Sequence, residues 1–222
     1  MANIVEISLM KHILIFWGGW DGHQPEAMAR RLQSELAAHD IQADLSDTLA
    51  CLDDAEALRR YDVILPYWTM GSLTPEQTKN LTSAIHGGVA LAGAHGGTGD
   101  AFRGNTDYEW MVGGHFVSHP HVGDYTVRLT SRQSPITEGL PLEFPYRSEQ
   151  YYMLVDPANE VLAESIYTHE GRRCVMPVAW TKMWGEGRVF YSALGHDPKE
   201  FDEFPAALEM IIRGIRWAAH TL

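Results

Sequence analysis

A histidine flanked by glycines is the feature of this 222-residue sequence with the clearest chemical meaning. Residues 93 to 97 read Gly-Ala-His-Gly-Gly, which gives His95 the G-x-H-x-G spacing of a nucleophile elbow, G-x-S-x-G. In such an elbow a strained strand-to-helix turn raises one side chain above a parallel sheet, and glycines relieve the crowding of the backbone. Here the raised group is an imidazole, which transfers protons near neutral pH. We therefore predict that His95 is catalytic, either as an acid or base or as a hydrogen-bond donor on the oxyanion side.

Two further proton carriers are candidates to act with His95. His196 follows a late predicted strand at residues 188–192, and Glu149 comes before a predicted strand at residues 153–155. Imidazole and carboxyl groups both move protons to and from hydroxyls, which suits sugar chemistry. We assign His196 as the partner of His95 and Glu149 as a second proton carrier. The alternative for Glu149 is a solvated loop carboxylate.

His115 and His119 are the candidate metal ligands. They are four residues apart, and on a helix this spacing would place both imidazoles on one face, as metal ligation requires. No glutamate follows the first histidine as in the H-E-x-x-H motif, so ordinary structural roles remain open for both residues. A divalent ion, zinc or manganese, is the cofactor that the pair would hold.

Aromatic and polar residues in the predicted loops are candidates for substrate contact, because flat rings offer walls against which a sugar ring can stack. Trp20 lies in the glycine-rich loop that follows the first predicted strand, and at least two of the tryptophans are expected to be core residues. The residues assigned to substrate binding are Trp17, Asp21, His23, Trp68, Tyr151 and Trp180.

Composition restricts the partners and the compartment. The formal net charge is −12, from 17 basic and 29 acidic residues, which argues against nucleic acid or an anionic membrane surface as the main partner. Cys51 and Cys174 are far apart and have no metal-type spacing, so reduced thiols are expected. Residues 1–10 have no basic residue and no cleavage pattern, and no apolar run reaches the roughly 20 residues of a membrane span. These features predict a cytoplasmic protein.

The order of apolar runs predicts one α/β domain over residues 1–222. Predicted strands at 12–16, 43–45, 61–67 and 89–92 alternate with helices, one of which begins at Thr74 with Pro75 and a capping box to Gln77. Such alternation is typical of a doubly wound, mostly parallel sheet whose ligand site lies at the carboxyl ends of the strands. Later strands are predicted at 124–129, 153–155, 161–167, 174–180 and 188–192, before a closing amphipathic helix.

Four segments in a fixed order carry a resemblance to a known family. They are residues 87–95 (GGVALAGAH), 113–120 (GGHFVSHP), 177–180 (PVAW) and 187–196 (GRVFYSALGH). The sequence resembles the trehalose-utilisation (ThuA-like) family, which is similar in fold to class I glutamine amidotransferases. The resemblance implies a flavodoxin-like three-layer sandwich. It also implies a role in sugar catabolism, alongside dehydrogenases that produce keto-sugars.

The elbow residue separates this chain from the glutaminases of that superfamily. Acyl transfer there needs a cysteine at the elbow, whereas this chain has His95, and neither Cys51 nor Cys174 is placed to substitute. The leading hypothesis is an enzyme of trehalose or disaccharide catabolism that acts on a keto-sugar or keto-glycoside by histidine acid/base chemistry, with metal assistance as an option. The alternatives are a non-catalytic carbohydrate-binding or regulatory protein and a metal-dependent amidase or hydrolase. The expected partner is a small carbohydrate, and self-association into a homo-oligomer is left open.

Overall fold

A computed structural model describes residues 10–222, and the signal-peptide question raised by the first ten residues falls almost wholly outside this range. None of the helices among the described residues is long and apolar enough to cross a membrane. The described part of the chain has nine strands, β1 (Lys11–Gly19), β2 (Ile41–Ser46), β3 (Val63–Thr69), β4 (Ala90–Ala94), β5 (Gly114–Leu129), β6 (Glu143–Val155), β7 (Glu160–His169), β8 (Arg172–Trp184) and β9 (Gly187–Ser192). The helices are α1 (Pro25–Ala37), α2 (Ala55–Leu58), α3 (Pro75–His86), α4 (His95–Gly99), α5 (Thr106–Val112), α6 (Glu200–Glu203) and α7 (Pro205–Ala218).

All nine strands belong to one mixed sheet in the order β2-β1-β3-β4-β9-β8-β7-β5-β6. The pairs from β2 to β9 are parallel, and the pairs from β9 to β6 are antiparallel. The prediction of a mostly parallel sheet is therefore wrong. Two-residue connections join β7 to β8 and β8 to β9, and so short a link permits only antiparallel neighbours.

Helices cover both faces of the parallel half, and each face has its own apolar core. Side chains of β1 alternate between the two, because successive residues of a strand point to opposite faces. Ile13 and Ile15 pack in the core beneath α1 and α7, whereas Leu14 and Phe16 pack in the core beneath α3 and α5. The prediction of an α/β fold, with helices packed on a central sheet, is confirmed.

Helix α3 begins where its capping residues predict. The Thr74 hydroxyl accepts a hydrogen bond from the Gln77 amide at 3.1 Å, and the Gln77 side chain accepts one from the Thr74 amide at 3.0 Å. This reciprocal pair satisfies two backbone donors that a helix start leaves without partners. The helix leads back to β4, which ends at the predicted elbow.

The buried face of strand β6 changes along the length of the strand. Phe144 and Tyr146 pack in the core beneath α1 and α7, whereas Tyr151 and Met153 pack in the core beneath α3 and α5. The even-numbered and odd-numbered residues of a strand project from opposite faces, so the buried face changes between the two pairs. Glu149 lies at this change, inside a 13-residue strand and not before one as predicted.

Candidate active site

His95 occupies a sharp turn between β4 and α4. Its φ is +45°, in the left-handed region, and its side chain is fully buried. Glycines on both sides make room for this turn. A Cβ at Gly93 would lie 2.0 Å from the Thr98 hydroxyl, and one at Gly97 would lie 2.6 Å from the Tyr67 ring. The predicted strand-to-helix turn is therefore present, and its backbone strain is confined to the histidine that it presents.

The hydrogen bond of the His95 ring determines which of its nitrogens is free. Nδ1 lies 2.8 Å from the Ala193 carbonyl oxygen, which can only accept, so Nδ1 carries a proton. In neutral His95 the lone pair is consequently on Nε2. This atom lies 3.3 Å from Nδ1 of His196 and 3.4 Å from Oε2 of Glu149. The ring of Tyr151 stacks on the imidazole with centroids 4.2 Å apart, which holds its plane in place.

His196 lies in the loop that follows β9, and three side chains hold the backbone of this loop. The Tyr67 hydroxyl donates to the Gly195 carbonyl at 2.9 Å, and the Gly195 amide donates to the Tyr146 hydroxyl at 2.9 Å. The Glu200 carboxylate accepts from the Tyr146 hydroxyl at 2.6 Å and from the His196 amide at 3.0 Å. We call Tyr67, Tyr146 and Glu200 the loop clamp.

His23 brings a third imidazole to the same place from the 3₁₀ turn that follows β1. It is 2 % exposed, and its Nδ1 lies 2.7 Å from the Thr69 hydroxyl, which leaves Nε2 free. Its ring centroid lies 4.8 Å from that of His95 and 4.9 Å from that of His196. A Cβ at Gly96 would lie 2.2 Å from Cε1 of His23, so glycine is required beneath this ring.

These three imidazoles and Glu149 form one group, which we call the histidine cluster. One nitrogen or oxygen atom of each residue lies within 4.8 Å of the corresponding atoms of the others. The carboxylate also connects the cluster to the surface, because its Oε1 lies 3.6 Å from Nε2 of the partly exposed His119. Neutral His95 and ionised Glu149 would face each other with lone pairs at 3.4 Å, an arrangement that favours a shared proton or a bound cation.

Burial and neighbouring charges shift the proton equilibria in the cluster. Burial, followed by the charges of His95 and His196, lowers the pKa of His23 from 6.5 to about 3. Burial and His95 also lower the pKa of His196. Burial alone would raise the pKa of Glu149, but the hydrogen bond and charge of His95 and the charges of His196 and His119 lower it to about 2. Near neutral pH the carboxylate is therefore ionised and His23 is neutral.

Three donor atoms of the cluster have spacings close to those between the ligands of a tetrahedral metal ion. The three distances among His95 Nε2, His196 Nδ1 and Glu149 Oε2 are 3.3, 3.4 and 3.7 Å. Ligands at the usual zinc bond lengths of about 2.0–2.1 Å lie roughly 3.3–3.4 Å apart in tetrahedral geometry. Imidazole nitrogen also suits zinc better than it suits manganese.

A family model decides what kind of protein carries this site. The model for ThuA, described as trehalose utilisation, matches residues 12–218. The chain belongs to the ThuA family. This membership supports a role in trehalose or other carbohydrate metabolism, while no curated protein sequence matches the chain.

Solved structures similar to this ThuA-family chain agree with its fold. A putative ThuA-like protein from Bacteroides uniformis has a TM-score of 0.77 at 16 % identity, covering 98 % of this chain and 94 % of its own. A cytoplasmic protein from Salmonella typhimurium has a TM-score of 0.70 at 17 % identity, with coverages of 95 % and 98 %. A β-galactosidase from Rahnella sp. R3 has a TM-score of 0.59 at 15 % identity, covering 90 % of this chain but 31 % of the enzyme. At these identities the likeness concerns the fold alone.

The structure separates the two histidines for which a metal was predicted. Both lie on strand β5 and not on a helix, so the four-residue spacing does not bring them together in the way assumed. His115 Nδ1 lies 3.5 Å from a carboxylate oxygen of Glu109, whereas His119 contacts Glu149. Within residues 10–222, the group of side chains close enough to hold one ion is the histidine cluster, which contains neither residue.

The residues predicted to bind substrate have different positions in this ThuA-family fold. His23 and Tyr151 contact His95, and Asp21 is exposed two residues before His23. Trp180 is fully buried and donates from Nε1 to the Val112 carbonyl at 2.9 Å, so it belongs to the core and not to a wall that a sugar could reach. Half-buried Trp17 and Trp68 pack against the two apolar cores.

Sequence reasoning missed the loop clamp and the membership of His23 in the cluster. Glu200 lies four residues after His196, and Tyr146 lies three residues before Glu149. Their closeness in sequence to predicted site residues could have marked them as candidates. Tyr67 could have been noticed at the end of a predicted strand. What linked these residues to His196 was hydrogen bonding between distant segments, which no local spacing reveals.

Proposed function

We propose that this ThuA-family protein is an enzyme that acts on a keto-sugar or keto-glycoside from trehalose or disaccharide catabolism by histidine acid/base chemistry. The observation that carries the proposal is the convergence of His95, His196 and Glu149 within 3.7 Å of one another at the carboxyl edge of the sheet. Family membership directs the choice of substrate toward sugars. The glycine-flanked turn supports catalysis, because a strained backbone at a buried polar cluster is typical of active sites.

A ketone on the sugar ring makes proton abstraction the natural first step. With the carbonyl at C3, the C2–H bond is acidified and the glycosidic oxygen on C1 lies β to the carbonyl. A base takes the C2 proton, and the electron pair of that bond passes through the enolate and expels the C1 oxygen. The departing oxygen takes up a proton, and addition of water to the resulting double bond completes a net hydrolysis.

Three residues fit these roles. His95 Nε2 is the base, because its lone pair is fixed by the bond from Nδ1 to the Ala193 carbonyl. Glu149, ionised and 3.4 Å away, stabilises the imidazolium that forms. His196 is partly exposed, with its Nδ1 3.3 Å from His95 Nε2 and 3.7 Å from Glu149, and it carries a proton between the departing oxygen and the cluster. Each such proton transfer contributes typically about 10²–10⁴-fold to the rate.

A divalent metal is an alternative use of the same atoms. His23, His95, His196 and Glu149 would hold it, and zinc fits three imidazoles better than manganese does. Such an ion supplies a positive charge that polarises a carbonyl. A bound ion would occupy the lone pair of His95. His95 would then be a metal ligand in the metal-bound form, whereas it is the base in the metal-free form. Elemental analysis of active protein distinguishes them.

The test is a comparison of 3-ketotrehalose with its parent sugar, trehalose. We expect the wild-type protein to release sugar from the ketone but not from trehalose, and to exchange the C2 proton with deuterated solvent. His95→Ala and His196→Ala should each lose about 100-fold or more of this activity, whereas exposed His169→Ala should keep it. Unchanged turnover in both cluster variants would reject the proposal. Sugar-induced thermal stabilisation without turnover would instead support a carbohydrate-binding or regulatory protein.

A further inference from the structure

Trp20 is an exposed aromatic residue beside the buried histidine cluster. Its side chain is 47 % exposed, although its ring centroid is only 4.8 Å from that of His23. Its backbone is fixed to the end of β3, because the Trp20 amide donates to the Thr69 carbonyl at 3.2 Å. Gly19, with φ of +79°, brings the chain so close to β3 that a Cβ there would lie 2.0 Å from the same oxygen. Trp20 is therefore rigidly held at the surface.

One face of the Trp20 ring lies flat against the backbone of Gly22. A Cβ built on Gly22 would lie 2.3, 2.4 and 2.6 Å from three consecutive atoms of the six-membered ring. Nearly equal short distances to three neighbouring ring atoms require a position above the ring plane and exclude one at its edge. The His23 ring meets the indole at an interplanar angle of 77° with ring centroids 4.8 Å apart, and 47 % of the Trp20 side chain remains exposed beside these two neighbours. Trp20 therefore keeps a large exposed part of its indole, although Gly22 lies against one ring face.

We propose that the exposed part of the Trp20 indole is a stacking platform for one pyranose ring of the substrate, next to the reacting ring at the histidine cluster. The inference deepens the proposed function and rests on it for the identity of the sugar. Flat aromatic faces bind the apolar C–H face of a pyranose, and an aromatic surface buried by a ligand is a large source of affinity. A disaccharide has a second ring that could occupy this position while the first is held near His95.

A second explanation makes a different prediction. Trp20 could serve only as a cover that shields His23 from water and keeps it neutral. In that case loss of the indole would change the protonation of His23 and the pH dependence of the reaction. It would leave the affinity for an unreactive sugar unchanged.

The experiment measures the affinity for trehalose, which lacks the ketone, by calorimetry on the full chain. We expect Trp20→Ala to raise the Kd for trehalose about tenfold, whereas Trp20→Phe retains most of the affinity because a smaller ring still stacks. Gly22→Ala should also weaken binding, since the added Cβ would displace the indole that it contacts at 2.3 Å. Trp110→Ala is the matched control, because Trp110 is 63 % exposed and packs against Trp184.

Kinetics with 3-ketotrehalose supplies the second readout. The platform predicts that Trp20→Ala raises KM about tenfold with little change in kcat. Wild-type affinity and KM in Trp20→Ala would overturn the inference, as would a changed pH profile with unchanged KM or no binding of either sugar by the wild type. If the wild type binds trehalose through Trp20 but turns over no keto-sugar, the platform stands and the proposed catalytic function fails.

Discussion

Nε2 of His95 lies 3.3 Å from Nδ1 of His196, although 101 residues separate the two along the chain. The distance follows from the pairing of β4 with β9, in which Ala94 lies opposite Ser192. Neighbouring parallel strands end at the same edge of a sheet, so the residues that follow them are brought together. Glu149 reaches the pair from β6, near the point where the buried face of that strand changes. The cluster therefore depends on both the parallel and the antiparallel half of the fold.

Glu149→Gln is expected to lower kcat/KM for 3-ketotrehalose about 100-fold or more. The amide is neutral, so it cannot stabilise an imidazolium at His95 or carry a proton. Steady-state kinetics measures the effect, with circular dichroism to verify folding. Glu143→Gln is the control, because Glu143 lies on the same strand with its side chain 58 % exposed. Activity near the wild-type level in Glu149→Gln would remove this residue from the mechanism.

His23 is expected to make the protein less stable as the pH falls from about 6.5 to about 3. The unfolded chain binds the His23 proton near its ordinary pKa of 6.5, whereas burial and the neighbouring imidazoles keep the folded pKa at about 3. Between these values the unfolded state holds more protons, so the free energy of unfolding decreases on acidification by up to about 1.4 kcal/mol per pH unit.

His23→Gln removes this contribution, and its free energy of unfolding should decrease less steeply with falling pH than that of the wild type. Urea denaturation at several pH values measures the slope. His169→Gln, at an exposed position, should keep the wild-type slope. Parallel curves for His23→Gln and the wild type would contradict the assigned shift.

Tyr146→Phe is expected to lower both the stability of the fold and kcat. The variant loses the hydroxyl that accepts from the Gly195 amide and donates to Glu200, so the loop that presents His196 is held less firmly. A cost of about 1–3 kcal/mol in unfolding free energy is typical for buried groups left without partners. Misplacement of His196 adds a decrease in kcat of roughly tenfold or more.

Two observations separate positioning from general destabilisation in this variant. Glu200→Gln keeps an oxygen that can accept from the His196 amide, so it should retain more activity than Tyr146→Phe. Tyr152→Phe, on the same strand but 41 % exposed, should behave like the wild type. If kcat is unaffected while stability falls, the clamp supports the fold alone.

Gly96→Ala is expected to abolish most activity by displacing His23. The added Cβ would lie 2.2 Å from Cε1 of His23 and 2.8 Å from the Tyr151 hydroxyl, both of which pack against His95. Gly104→Ala controls for the general cost of replacing glycine. Its φ is positive, at +81°, but a Cβ added there would meet no atom beyond its chain neighbours within 4 Å. That control should lose about 1 kcal/mol of stability and keep its activity. Kinetics and thermal denaturation of both variants test the comparison.

The sequence by itself determined the features that depend on short stretches of chain. Apolar periodicity and capping residues located β1, β3, β4, α3 and α7, because helix and strand preferences act over a few residues. Glycine spacing identified the turn at His95, and residue chemistry pointed to His196 and Glu149 as its partners. Four ordered segments indicated the ThuA family, and the family model confirmed it.

Tertiary structure decided what depends on contacts between distant segments. The prediction of a mostly parallel sheet was wrong, because the structure joins β7 to β8 and β8 to β9 by two-residue links that permit only antiparallel pairing. Burial removed Trp180 from the candidate sugar contacts, and strand geometry separated His115 from His119. His23 joined the cluster because β1, β4 and β9 end at one edge of the sheet. Local sequence fixes which side chains exist at each strand end, but only the pairing of strands across the sheet brings their nitrogen and oxygen atoms within reach of one another.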